Sequence, residues 1–377
     1  MSVLPAEPEE VAQGRAERLR ALDVPAAVLP ELLAYTAHPY GAPPAVPLPL
    51  PDEPHLAAWR EYAAEAGVGK AEAERGAAAA LRRRLVQLQF PIAAGMATAP
   101  SYRAATLRGV PPPPSEGVEL VDPAGITLAI HATPAGAVPV VVARHRADFE
   151  TLVRALASRN EPVPVPASMG ACLVQGLVNQ DRVARYRARW AAQAAEASEA
   201  AWQQEMGRLA ADKPSYQDRL VLLSSGAYAG VPASEVGRDE GRWLADSLRI
   251  RGEHECFHYL TVRLFGRMRS NALDEVVADL AGLAASDGAY SPPLARRVLG
   301  LEGDLLHPRP DARLLLYCAE LSSPAQAALA ALVGTAIDGL ARLCDEVGLA
   351  ANSASRGPLL LAAAARGLDG LGLAGRH

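Results

Sequence analysis

The sequence predicts an α+β fold that is predominantly helical, on three observations. Long stretches carry apolar residues at three- and four-residue intervals, the period of a helix face. Helix-starting Asn and helix-stopping Gly residues punctuate those stretches. Alternating β-branched residues gather in one short region, residues 118–143, around the turn Asp122-Pro123-Ala124-Gly125, which predicts a small antiparallel β element. At 377 residues, 50% apolar and 21% charged, the chain can bury a large core and hold two domains.

Taken in order, residues 1–56 read as an N-terminal arm. Pro5–Leu22 has the pattern of a short helix, and Gly41–Pro54 is a proline-rich connector expected to run extended. Residues 57–212 read as a helical region with the β element inside it. Residues 57–90 form a helix or helix pair broken near Gly67 and Gly69, and Gln89–Gly109 looks irregular. Val118–Val121 and Ile126–Ala132 are read as a hairpin, with Val138–Ala143 as a third strand. Asp148–Ser158 reads as a helix. Residues 160–170, rich in proline, form an extended stretch that lines a cleft or simply follows a rigid path. Arg182–Ala211 reads as one long helix.

Residues 213–377 read as a helical domain, either separate from 57–212 or one compact unit with it. Leu220–Leu223 fits a strand or a helix end. Leu244–Phe265 is a helix that Gly266 can end. Asn271 then offers an N-cap, with Asp274 three residues on, for a second helix from Ala272 to about Ala285. Pro324–Val347 is a further helix, and Gly367, Gly370, Gly372 and Gly375 suggest a frayed tail.

The chemistry lies in residues 254–258, His-Glu-Cys-Phe-His. Histidines four apart share one helix face, a turn apart, and can grip one metal ion. A glutamate beside the first can act as base toward a metal-activated water. The plain alternative is a hydrogen-bonded histidine pair without metal. On the next helix Glu275 and Asp279 are again four apart and share a face. A catalytic zinc takes three protein ligands and keeps one position open, so Glu275 suits the third ligand. Asp279 can accept the free N–H of a ligand histidine. Tyr216 and Tyr228 are candidate donors to a developing oxyanion, with core or surface tyrosine as the alternative. Cys256 lies about 200° round the helix from the histidines and reads as a small buried apolar group.

His254 to His258, followed by Glu275 and Asp279, resembles the gluzincin class of zinc metallopeptidases, which includes thermolysin-like enzymes, over roughly residues 244–285. The resemblance implies a zincin-like metal-binding helix pair. It implies His254, His258 and Glu275 as zinc ligands, Glu255 as general base and Asp279 as partner to a ligand histidine. Cys256 stands where most members carry a bulky apolar residue, and Arg251 where most carry a small or apolar one. The segment 258–275 is also similar to a family of uncharacterised bacterial proteins.

The net charge of −5 gives no nucleic-acid footprint. Basic residues are almost all arginine; Lys70 and Lys213 are the lysines. Cys172, Cys256, Cys318 and Cys344 have no Cys-x-x-Cys spacing and no disulfide framework is expected. No signal-peptide pattern and no run of ~18 apolar residues stands in the chain, so a cytoplasmic protein without a membrane partner is expected. The leading expectation is a zinc-dependent metallohydrolase acting on a peptide or other amide. One alternative is a lyase, cyclase or oxidase of specialised metabolism using zinc or Fe2+. The other is a non-catalytic binding protein with a vestigial metal site.

Overall fold

The computed structural model describes residues 8–37, 44–67, 76–114, 117–194, 196–268, 271–301, 308–309, 311–347 and 353–376. Two compact units divide the chain: Met1–Leu50 with Gly226–His377, and Pro51–Ser225. The boundaries expected at residues 56 and 212 therefore move. The N-terminal arm belongs to the same unit as the C-terminal helices, and residues 213–225 belong with the sheet. The fold is α+β and predominantly helical.

The first unit opens with α1 (Glu9–Ala21) and α2 (Leu29–Tyr35). Leu19 and Leu32 are fully buried in its core, so the arm is structural rather than peripheral. The proline-rich connector lies partly outside the described residues, and Pro44–Pro51 forms no helix or strand.

The second unit contains α3 (Leu56–Ala66), α4 (Ala77–Arg84), α5 (Pro100–Arg108), β1 (Ile126–His131), β2 (Val138–Ala143), α6 (Arg146–Leu156), β3 (Ala171–Val178), α7 (Gln180–Gln193), α8 (Glu199–Ala211) and β4 (Gln217–Ser224). The sheet order is β1-β2-β4-β3. The second and third of the expected strands are present as β1 and β2, paired antiparallel with Ile126 opposite Ala143. β4 then pairs parallel to β2 and antiparallel to β3, so the sheet is mixed. β4 lies inside the sheet and buries Leu220 through Leu223, an unbroken apolar run of the kind covered on both faces.

Three expectations are corrected in this unit, and one strand is added that the sequence did not mark. Val118–Val121 is not a strand. The N–H groups of Val121 and Asp122 donate to the buried Asp148 carboxylate at 2.6 and 2.8 Å, which takes them out of any ladder. The stretch 89–109 contains α5, started by Pro100 at its first turn. Residues 171–178 form β3, whose pattern is blurred by a bulge at Gly176 (φ +74°). The helix expected over 182–211 is two, α7 and α8. Ser198 caps the second by accepting from Ala201 N–H, and Trp190 meets Trp202 across the turn with ring centroids 5.4 Å apart.

The first unit resumes with α9 (Glu240–Phe265), α10 (Ala272–Asp287), α11 (Pro292–Leu299), α12 (Ser323–Val347) and α13 (Ser353–Arg376). It has no strand among the described residues, since β1–β4 all belong to the other unit. α12 is long and apolar enough to cross a membrane, but Leu329, Val333, Ile337 and Leu340 are fully buried in the core of this unit. The expected frayed tail is instead helix α13, kinked at Gly367 (φ +69°) and packed on α12. A Cβ on Gly375 would lie 2.2 Å from the Thr335 carbonyl oxygen, so the glycine lets the two backbones touch.

Candidate metal centre

Both helices of the centre begin and end on local signals. Asp239 caps α9 by accepting from Arg242 N–H, and Gly266 ends it at φ +71°. Asn271 caps α10 by accepting from Asp274 N–H at 3.2 Å, as its sequence implied. Tyr35 adds a second hold on that end, because its hydroxyl accepts from Ala272 N–H at 2.8 Å and donates to the Tyr317 carbonyl.

α10 is buried on every side from Ala272 to Ala284, yet it carries Asp274, Glu275 and Asp279. Buried carboxylates are costly unless each is paired. For Glu275 and Asp279 part of the pairing comes from the histidines of α9. His254 Nε2 lies 3.3 Å from Glu275 Oε2, His258 Nε2 lies 3.6 Å from Glu275 Oε1, and the two Nε2 atoms are 3.2 Å apart. Ligands held at zinc–nitrogen distances round a tetrahedral ion lie about 3.3–3.4 Å from one another. The three donor residues thus form a triangle with spacings near those of such a site, its two Glu275 edges ending on different carboxylate oxygens, and they could hold a small divalent ion.

The other side of His254 is fixed by Asp279 and Tyr228. Asp279 Oδ1 lies 3.0 Å from His254 Nδ1, and the Tyr228 hydroxyl donates to the same oxygen at 2.5 Å. This network assigns a proton to Nδ1 and turns the Nε2 position toward Glu275 and His258. Burial works against charge on His254, but hydrogen bonds to Asp279 and Glu275 outweigh it and push its pKa up to about 10. The two carboxylates call for a cation here. A proton on Nε2 meets that demand, and a metal ion competes for the same lone pair. Glu275 is held well below the usual carboxylate range: burial raises it, and hydrogen bonds from His254 and His258 outweigh that. Asp279 is lowered too, its burial overcome chiefly by the Arg313 charge. Among the described residues, the buried Nδ1 of His258 has no hydrogen-bond partner.

Glu255 is 8% exposed, and among the described residues no hydrogen bond or ion pair engages its carboxylate. Cys256 is buried, and burial pushes its thiol well above the ordinary range, so it remains a protonated apolar group as expected.

A model of a protein family of unknown function, DUF7005, matches residues 17–371. The chain belongs to that family. No curated protein and no solved structure matches it.

In this DUF7005 member, His254, His258, Glu275 and Asp279 come together as their spacing implied. Tyr216 is instead in the sheet unit, with its hydroxyl 3.5 Å from the Ala210 carbonyl. Tyr228, expected to face a developing oxyanion, is placed at the Nδ1 edge of His254, with its hydroxyl committed to Asp279. Arg251 holds the turn that carries it, donating to the Gly226 and Ala227 carbonyls at 2.7 Å each. Sequence reasoning missed Arg313. Its guanidinium donates to both oxygens of Asp279, at 2.9 and 3.2 Å, and to Glu275 Oε2 at 3.1 Å. No motif surrounds Arg313; the available signal was indirect, that acidic residues in an apolar helix require a basic partner.

Proposed function

We propose that this chain is a metal-dependent enzyme, with zinc the first choice of ion, and that it hydrolyses a peptide or other amide. The observation that carries the reading is the buried donor triangle of His254, His258 and Glu275, with edges of 3.2–3.6 Å. A zinc ion held there would supply Lewis acidity and make a water acidic near neutral pH. His254, His258 and Glu275 would hold it through Nε2, Nε2 and a carboxylate oxygen. Asp279 keeps the His254 ring in one orientation through Nδ1–H. The Glu255 carboxylate, engaged by no other described residue, accepts a proton from the attacking water and returns it to the leaving nitrogen.

A second reading keeps the ion and changes the reaction to that of a lyase, cyclase or oxidase, with Fe2+ as the alternative ion on a two-histidine, one-carboxylate set. It is favoured by the enclosure of the centre, where His258 is 2% and Glu275 4% exposed. It is also favoured by the lack of a strand among the described residues of this unit, which removes one common way of holding an extended peptide. The enclosure suits a small substrate under either reading. The four free cysteines fit a reducing compartment, and we place the protein in the cytoplasm.

Elemental analysis of the untreated purified protein tests the metal. About one zinc or iron per chain is expected. A metal-free protein that added zinc or Fe2+ neither binds nor stabilises would overturn both readings and leave a vestigial site.

A further inference from the structure

Arg313 precedes α12 in a short 3-10 turn, Arg313–Tyr317, and its side chain is 15% exposed. It reaches two carboxylates that stand one turn apart on α10. Nη1 donates to Asp279 Oδ2 at 2.9 Å, and Nη2 donates to both Asp279 Oδ1 at 3.2 Å and Glu275 Oε2 at 3.1 Å. Nε donates to the Tyr317 hydroxyl at 3.1 Å, and the guanidinium lies over the Tyr228 and Tyr317 rings at 5.3 and 5.6 Å. Every arm of the fork is therefore committed, and the plane is fixed from two sides. Like charges four apart on a helix repel, and in a buried helix that repulsion is weakly screened. One guanidinium nitrogen spanning Glu275 and Asp279 removes the conflict.

We propose, resting on the metal reading above, that Arg313 is a positioning residue of the metal centre and acts through Glu275. By donating to Oε2 it would leave Oε1, which lies 3.6 Å from His258 Nε2, as the oxygen that ligates, so that Glu275 would bind an ion through one oxygen and keep a position open. By neutralising Asp279 it leaves that residue free to orient His254. A lysine offers a point charge in place of a planar fork and does not reproduce the two-carboxylate bridge. The alternative effect is purely electrostatic. A positive charge beside a ligand weakens cation binding, so its removal would tighten the site. The two effects predict opposite signs.

The test uses full-length wild type, Arg313→Met and Arg313→Lys, each shown to be folded by circular dichroism in the metal-free form. Cobalt(II) is titrated in, with affinity read by chelator competition and coordination number by visible absorption, which is stronger for four-coordinate than for five- or six-coordinate cobalt. Wild type is expected to give the four-coordinate spectrum. Both variants are expected to bind about 10–100-fold more weakly and to lose absorption as Glu275 becomes bidentate. Arg313→Lys carries the test alone where Arg313→Met does not fold. Wild-type affinity and spectrum in the lysine variant, or tighter binding in the methionine variant, would overturn the role of the fork while leaving the metal reading intact. A wild type that takes up no cobalt would instead overturn the metal reading and the role of Arg313 with it.

Discussion

Gly282 on α10 stands against Ile250 on α9 so closely that a methyl group on it would meet the Ile250 carbonyl oxygen at 2.5 Å. Ile250 is one helical turn from His254, and Gly282 is three residues from Asp279. This contact fixes how near the two helices come and therefore the 3.2–3.6 Å edges of the donor triangle. Gly282→Ala is expected to force the helices apart, cost about 1–3 kcal/mol of stability and weaken metal binding. Thermal unfolding with and without zinc checks both. An unchanged zinc-induced shift in Tm would separate the contact from the site.

His258→Ala removes one donor of three and leaves Glu275 with a single imidazole neighbour. The variant is expected to purify with little or no metal while retaining its helical circular dichroism, because the core round α9 rests on Phe257, Ile250 and Trp243. Metal content equal to wild type would remove His258 from the ligand set.

For Glu255→Gln the outcome is a split between binding and turnover. The amide is nearly the same size but cannot accept the proton at neutral pH. Metal content should stay at the wild-type level, and hydrolysis of a peptide or small-amide panel should fall by about 10²–10⁴-fold. Full activity in this variant would leave Glu255 no part in the chemistry.

Tyr228→Phe removes the hydroxyl that donates to Asp279 at 2.5 Å while keeping the ring that stacks beneath Arg313. Loss of a donor to a buried carboxylate is expected to cost about 1–3 kcal/mol. If Tyr228 is a positioning residue, metal affinity should fall with it. A loss of turnover with unchanged metal affinity and stability would return Tyr228 to the oxyanion role expected from sequence.

The parts of the fold legible in the sequence are those set by neighbours along the chain. Asn271 and Gly266 marked the ends of α9 and α10 because capping acts within one turn. His254, His258, Glu275 and Asp279 could be placed because helix periodicity alone puts each pair on one face. Arg313 could not, being 38 residues from Glu275 and 34 from Asp279 with nothing local to mark it. The same holds for Gly375, whose lack of a side chain looks like a weak helix until Thr335 is seen against it. The break between α7 and α8 escaped notice because alanine-rich sequence favours helix throughout, and only the folding back of Trp202 on Trp190 rewards a turn there. Val118–Val121 has strand composition, but its end N–H groups are claimed from afar, Val118 by the Leu88 carbonyl and Val121 by the Asp148 carboxylate 27 residues on.

Tyr35, whose hydroxyl caps α10, lies 237 residues before Ala272. The unit holding the donor triangle is assembled from the first 50 residues and from residues 226 onward, while residues 51–225 form a contiguous unit of their own. During synthesis the sheet unit can complete itself on the ribosome, whereas α1 and α2 must wait until α9 to α13 have emerged. A metal bound at this centre would then be acquired only after α10 has joined α9, and a ribosome-stalled chain ending before Ala272 would hold both histidines and still lack the carboxylate that completes the triangle.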